Sequence, residues 1–254
     1  SGNARGRPLV ADNDTALREL AGIADSLLLH DRDIHMRCDD SVLNGVSVNG
    51  VQIDRSKLKQ GEPATVIRRG RGMAPRVITL PTAGPQTLAV GGFFKNSICV
   101  TKGNQAYLSQ YIGDLDNPDN CRYLQQTVDH LCSLFDIDVQ QVACDLHPDF
   151  YSSRFARDYA DTRQLPLVEV QHHHAHGAAV AAEHGITGDY LALTLDGLGL
   201  GTDGDLWGGE LLSLKSGEME RLGHFKPLAL PGGDKAAREP WRLALALLIE
   251  QGQE

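Results

Sequence analysis

The chain has 254 residues, of which 41% are hydrophobic and 22% charged, the composition of an ordinary globular protein of one or two domains. A formal net charge of -9 argues against binding nucleic acid or an anionic membrane through bulk electrostatics. No apolar run approaches the ~18 residues that span a bilayer, and the opening "SGNARGRPLV" lacks the apolar centre of a signal peptide, so a cytoplasmic protein with no nucleic-acid or membrane partner is expected. The cysteines, Cys38, Cys99, Cys121, Cys132 and Cys144, are scattered without a CxxC pair. That spacing supports neither a disulfide framework nor a cysteine zinc module, and most of these thiols are expected buried and reduced. The chain opens without a Met on what reads as an interior turn and stops directly after an amphipathic helix, so a piece of something longer is expected.

In chain order, residues 12–30 carry Leu17, Leu20, Ile23, Ala24 and Leu27 at helical spacing with Asp12 or Asp14 as N-cap, which predicts an amphipathic surface helix. "RDIHMRCDDSVLNGVSVNGVQI" and "PATVIRRGRGMAP" read as short strands, with a hairpin signal at Asn49-Gly50. Pro75, Pro81 and Pro85 punctuate "MAPRVITLPTAGPQ", which predicts a boundary near 76–87, with a linker placed at 81–87 between a first domain at 1–80 and a second at 88–254. A β-meander is predicted over 87–115, then a helix with Tyr123, Val128, Leu131, Cys132 and Phe135 on one face. A buried strand "QVACDL", a helix near "YSSRFARDYAD", a strand "PLVEV", a helix opening at the histidines, a strand "YLALTLDG" with a hairpin partner "LWGGELLSL", and one closing helix "KAAREPWRLALALL" complete the chain. Strands first adjacent and then alternating with helices describe an α/β chain with mixed sheets.

The chemistry concentrates at "VEVQHHHAHGAAV". Residues four apart share a helix face, so His172 and His176 can reach one ion if the helix has begun by His172, while His173 and His174 point elsewhere. The Glu that serves as general base in HExxH is replaced by His173, which removes a metalloprotease reading. Two imidazoles hold a metal poorly, and the nearest credible third ligand is Asp196, at the end of a strand and followed by Gly197 and Gly199. The plainer alternative is a set of partly exposed polar residues at a helix start. Gly197, Gly199, Gly201, Gly204, Gly208 and Gly209 lie close together, where backbone N–H groups can approach a phosphate, or where a hairpin simply turns repeatedly. Gly232 and Gly233 precede a helix for which Asp234 is the candidate N-cap. Arg68, Arg69 and Arg71 suit phosphate or carboxylate, or an exposed basic turn.

Taken together and in order, these motifs are specific. "SGNARGRPL", "ADSLLLHDRDIHMRCDDSV" and "RRGRGMAP" resemble the later portion of a YrdC-like domain. "HHHAH", "LTLDGLGLGTDGDLWGGE" and "LPGGDKAAREPWR" resemble the HypF carbamoyltransferases of nickel–iron hydrogenase maturation, over essentially the whole chain. The resemblance implies an ATP-dependent carbamoyltransferase, in which a YrdC-like domain makes carbamoyl adenylate from carbamoyl phosphate and ATP. A second domain, similar to the tRNA-modifying enzyme TsaD and built on the actin and sugar-kinase (ASKHA) fold, passes the carbamoyl group to the C-terminal cysteine of HypE, the precursor of the cyanide ligands. It further implies that Ser1, Asn3, Arg68, Arg71, Lys95, Asn96, Gly197, Gly199, Gly232, Gly233 and Asp234 face nucleotide or substrate, and that His172, His176 and Asp196 bind one divalent or trivalent ion, zinc, iron or magnesium. The family's acylphosphatase domain, its zinc-finger-like modules, the basic KxR element of the YrdC-like domain and the second half of the TsaD-like domain have no counterpart in this sequence. An O-carbamoyltransferase of antibiotic biosynthesis, a non-enzymatic metal-binding accessory protein and a docking scaffold on the same fold are the alternatives.

Overall fold

The computed structural model describes residues 2–4, 6–44, 65–215, 217–233 and 235–252, and they form a mixed α/β chain with mixed sheets. They divide into two compact units, one of Ser1–Val170 with Ala181–Ile186 and one of Gln171–Val180 with Thr187–Glu254.

In the first unit α1 (Asn13–Glu19) is capped by Asp12, whose side chain accepts from the Thr15 N–H at 2.7 Å. The expected helix to residue 30 stops at Glu19, about three turns early. Gly22 and the Asp25-Ser26 pair disfavour helix, and nothing offsets them, because α1 buries no residue and Ile23 is 70% exposed. β1 (Val42–Asn44) and β2 (Thr65–Arg68) pair antiparallel, and the hairpin expected at Asn49-Gly50 lies outside the described residues.

The span expected as a linker is mostly strand: β3 (Arg76–Gly84) runs to within three residues of β4 (Thr87–Ala89). Val77, Ile78 and Thr79 are β-branched strand formers, and their prolines are tolerated for a positional reason. β3 is the sheet edge, and Pro81 falls where its register against β5 (Cys99–Leu108) breaks between Thr79 and Gly84, so no ladder N–H is missed. Of the meander expected over 87–115, β4 and β5 pair antiparallel as successive strands, and the other side of β5 takes β3 from upstream instead of a further strand of that stretch.

α2 (Pro118–Leu134) begins as its sequence dictates, with Asn117 accepting from the Asn120 N–H at 3.0 Å and Pro118 in the first turn, where no N–H is needed. It is the crossover to β6 (Gln141–Asp145), and α3 (Tyr151–Arg163) is the crossover to β7 (Leu167–Val170). These return the chain parallel to β4, completing the order β3-β5-β4-β6-β7. Leu88, Val90, Ile98 and Val100 meet Leu124, Val128, Leu131, Val142, Ala156 and Ala160 in the main core. All five cysteines are free; Cys144 is buried and the others half-buried, and burial pushes the Cys99 and Cys144 thiols up to about 11.

In the chain's second half α4 (His172–Glu183) is followed by β8 (Tyr190–Thr194), a two-stranded ribbon of β9 (Gly199–Leu200) and β10 (Leu206–Trp207), β11 (Glu210–Lys215) and β12 (Glu218–His224). The antiparallel order is β12-β11-β8. Gly177 lets α4 sit close on this sheet, since a Cβ there would stand 3.0 Å from that of Ala192. The single closing helix expected at 235–248 is two, α5 (Lys235–Arg238) and α6 (Trp241–Glu250), because Pro240 has no N–H to continue the ladder and its ring collides with the preceding turn.

Candidate metal centre

Helix α4 starts at His172 because Gln171 caps it: its Oε1 accepts from the His174 N–H at 2.9 Å. His172 and His176 therefore stand one turn apart on one face, with their Nε2 atoms 3.2 Å from each other. Asp196 follows β8, and its Oδ1 accepts from the Gly197 N–H at 2.7 Å. Its Oδ2 faces the two imidazoles, 3.1 Å from His172 Nε2 and 3.4 Å from His176 Nε2.

These three atoms form a near-equilateral triangle, and its size is informative. A tetrahedral ion with bonds of about 2.0–2.1 Å has donor–donor edges of about 3.4 Å, and an octahedral ion with the same bonds has edges of about 3.0 Å. The observed edges fall within that interval, so the spacing of the three donors matches that of ligands around one ion. His176 is 57% and Asp196 36% exposed, which leaves the far side of such an ion open to water or a ligand. This is the one group of three His, Cys, Asp or Glu side chains with metal-ligand spacing among the described residues.

The other two histidines have different surroundings. His173 is fully buried, with Nδ1 3.0 Å from Gln171 Nε2, and burial pulls its pKa down against the opposing charge of Asp196. His174 is half-buried and is likewise lowered by burial. Gly199 packs directly on His172 and His173: a Cβ there would lie 2.7 Å from His173 Cε1 and 2.9 Å from His172 Cβ. Gly199→Ala is therefore expected to cost about 1–3 kcal/mol by overpacking and to weaken zinc binding as His172 shifts, measurable by chemical denaturation and by titration with zinc.

Of the residues implied to face nucleotide, Asn3 and Arg68 line one cavity of about 440 Å³, and Arg68 and Lys95 line another of about 320 Å³. The Arg68 guanidinium lies over the Tyr111 ring at 5.5 Å and donates to the Asp40 carbonyl at 3.1 Å. Arg71 is held by its backbone, with its N–H donating to the Asp39 carbonyl at 2.7 Å, and Arg69 turns to Glu183, which Arg76 also reaches at 3.0 Å. Lys95 has a positive φ of 50°, and its N–H donates to Asp114. Asn96 is buried, its amide donating to the carbonyls of Val90 and Gly92, so it braces the loop it sits in. Gly197 follows Asp196 and donates its N–H to that carboxylate; Gly232 and Gly233, with φ of 86° and 59°, turn the chain before α5. Ser1 and Asp234 lie outside the described residues.

Comparison with known proteins decides the family. Residues 82–183 match the HypF Kae1-like domain, and residues 192–254 match the second subdomain of the carbamoyltransferase Kae1-like domain. Over its whole length the chain is 51% identical to carbamoyltransferase HypF2 of Cupriavidus necator, and it is 47% identical to carbamoyltransferase HypF of Rhizobium leguminosarum bv. viciae. The chain belongs to the HypF family. It spans about 30% of the length of those HypF relatives. A crystal structure of full-length HypF in its phosphate- and nucleotide-bound form superposes over 98% of this chain and 31% of its own, with a TM-score of 0.85 at 39% identity.

Within this HypF-family chain the sequence reading missed a polar cluster behind the centre. Glu210 is fully buried and takes two bonds from Arg221, at 2.6 and 3.0 Å, and one from the Gly208 N–H at 2.9 Å. The Arg221 guanidinium covers the Trp207 ring at 4.1 Å, and the Trp207 indole N–H donates to Asp203 at 2.9 Å. The signal was available: Glu210 shares the inward register of Leu212 and Leu214, and a charge on that face requires a partner.

Proposed function

We propose that this chain carries the metal centre and part of the nucleotide side of an ATP-dependent carbamoyltransferase. Residues 1–80 are the end of its YrdC-like portion and residues 88–254 the first part of its TsaD-like portion. Carbamoyl phosphate, ATP and one water give carbamoyl adenylate with release of phosphate and pyrophosphate, and the carbamoyl group then passes to the C-terminal cysteine thiol of HypE in the cytoplasm as AMP leaves, toward the cyanide ligands of a nickel–iron hydrogenase. The observation that carries this reading is the His172–His176–Asp196 triangle at the edge of a glycine-rich loop. It is supported by the carbamoyltransferase relatives, and by the HypF crystallised with phosphate and nucleotide.

The donor set fits an ion held by His172 Nε2, His176 Nε2 and Asp196 Oδ2. Two imidazoles and one carboxylate favour zinc or iron over magnesium, which prefers an all-oxygen shell. When bound, the ion supplies positive charge that neutralises phosphate or polarises a carbonyl. The Gly197 N–H keeps Asp196 Oδ1 occupied, so Oδ2 alone faces the histidines. Arg68 offers a fixed guanidinium to an anionic phosphate, with Asn3 lining the same cavity.

Grafted in place of the corresponding segment of the Cupriavidus necator relative, this chain is expected to support release of AMP and pyrophosphate from ATP that depends on carbamoyl phosphate. A folded chimera that binds zinc and nucleotide yet releases no AMP would sink the proposal.

A further inference from the structure

The cap of α4 is made by an uncommon residue for the task. Short side chains, Asn, Asp, Ser and Thr, are the preferred N-caps, and a glutamine loses more rotamer freedom when it is fixed. Gln171 is nevertheless 4% exposed, and both ends of its amide are in use. Oε1 accepts from the His174 N–H at 2.9 Å, while Nε2 reaches the Leu200 carbonyl at 3.1 Å and His173 Nδ1 at 3.0 Å. The two backbone partners fix which end is which, since an N–H can meet only the amide oxygen and a carbonyl only the NH2.

Leu200 belongs to β9, four residues past Asp196. The helix that supplies two donors and the strand that follows the third are thus tied together by one side chain, with Gly199 pressed against His172 and His173 beside the tie. We propose that Gln171 is a positioning residue of the metal centre, setting the distance between Asp196 Oδ2 and the histidine pair. The inference rests on reading that triad as a metal site. A threonine at 171 would still cap His174 but is too short to reach Leu200, so capping and tying can be separated.

The test compares the chain with its Gln171→Thr and Asp196→Ala variants, using zinc titration against a chromophoric chelator, the visible absorption of bound cobalt(II), and circular dichroism. If Gln171 positions the centre, Gln171→Thr folds with unchanged helix content, binds zinc about 10-fold more weakly, the lower end of what the loss of an outer support of a metal site costs, since the ligands keep their own contacts, and shows an altered cobalt(II) spectrum. Should that variant fail to fold, Gln171→Glu keeps the length and the capping oxygen while placing an oxygen against the Leu200 carbonyl, and the same weakening is expected. Equal zinc affinity and an identical cobalt(II) spectrum in a folded variant would overturn the role of Gln171 and leave the metal centre standing. A wild-type chain that binds zinc no better than Asp196→Ala would remove the centre itself, and the inference with it.

Discussion

Asp196→Ala is expected to lower zinc affinity by at least about 100-fold, because loss of a supporting partner alone costs about 10–100-fold and this change removes a donor outright. Only His172 and His176 would then face the ion, with the negative charge that offsets it gone. The loss has a second readout. An ion bound only by the folded chain stabilises it by about 2.7 kcal/mol when present at 100 times its dissociation constant, and at the same zinc concentration that increment is expected to fall to about 0.4 kcal/mol or less in Asp196→Ala. His176→Ala should behave alike, whereas His174→Ala, with its ring half-buried outside the triangle, should keep wild-type affinity. Equilibrium dialysis with elemental analysis and thermal unfolding with and without zinc supply both measurements. Stoichiometric zinc at wild-type affinity in Asp196→Ala is the result that rules out the triangle as the binding site.

How the triangle assembles shows what a sequence can carry. The i, i+4 spacing of His172 and His176 is a local property, and it became geometry as soon as the helix was seen to begin at His172. Asp196 was found through a fold-level regularity, the placement of ligand groups just past a strand end. What set the helix start, Gln171, was not legible, because its partner Leu200 lies on another element and no local pattern marks that bond. The same distinction explains the fold. α2 and α3, long and periodic, stand where the pattern puts them, whereas β3 reads as a linker in the sequence because proline marks a break unless its strand is known to be an edge, and edges exist only once the sheet is assembled. The expected helix past Glu19 failed in the opposite sense, its apolar period being real but finding no surface to cover.

Arg221→Met is the substitution expected to destabilise most. It leaves Glu210 buried with the Gly208 N–H but no cation, and breaking a buried ion pair from one side costs about 3–5 kcal/mol. It also uncovers Trp207 and takes a charge away from Asp203, whose carboxyl is held below its ordinary value first by the Trp207 indole and then by neighbouring N–H groups. The effect carries a pH signature. Burial pushes the Glu210 carboxyl up, and the Arg221 bonds, the Gly208 N–H and the Arg221 charge together more than reverse this, leaving it below its ordinary 4.5. A depressed carboxyl contributes stability above its unfolded value and loses it as the pH falls through the folded one, so the wild-type pair is at full strength at neutral pH and fades in acid below 4.5. In Arg221→Met burial is opposed only by the Gly208 N–H and the weaker influence of His224, and the carboxyl takes up its proton at higher pH than in the wild type. The deficit of the variant should therefore be largest near neutrality and shrink as the pH falls from the variant's raised folded value to the wild type's, which lies below 4.5. Glu210→Leu combined with Arg221→Met removes the stranded charge and should regain most of the loss. Chemical denaturation at neutral and acid pH resolves all three chains, and a deficit that is small at neutral pH, or the same in acid, would show that Arg221 does not hold Glu210 in its charged form.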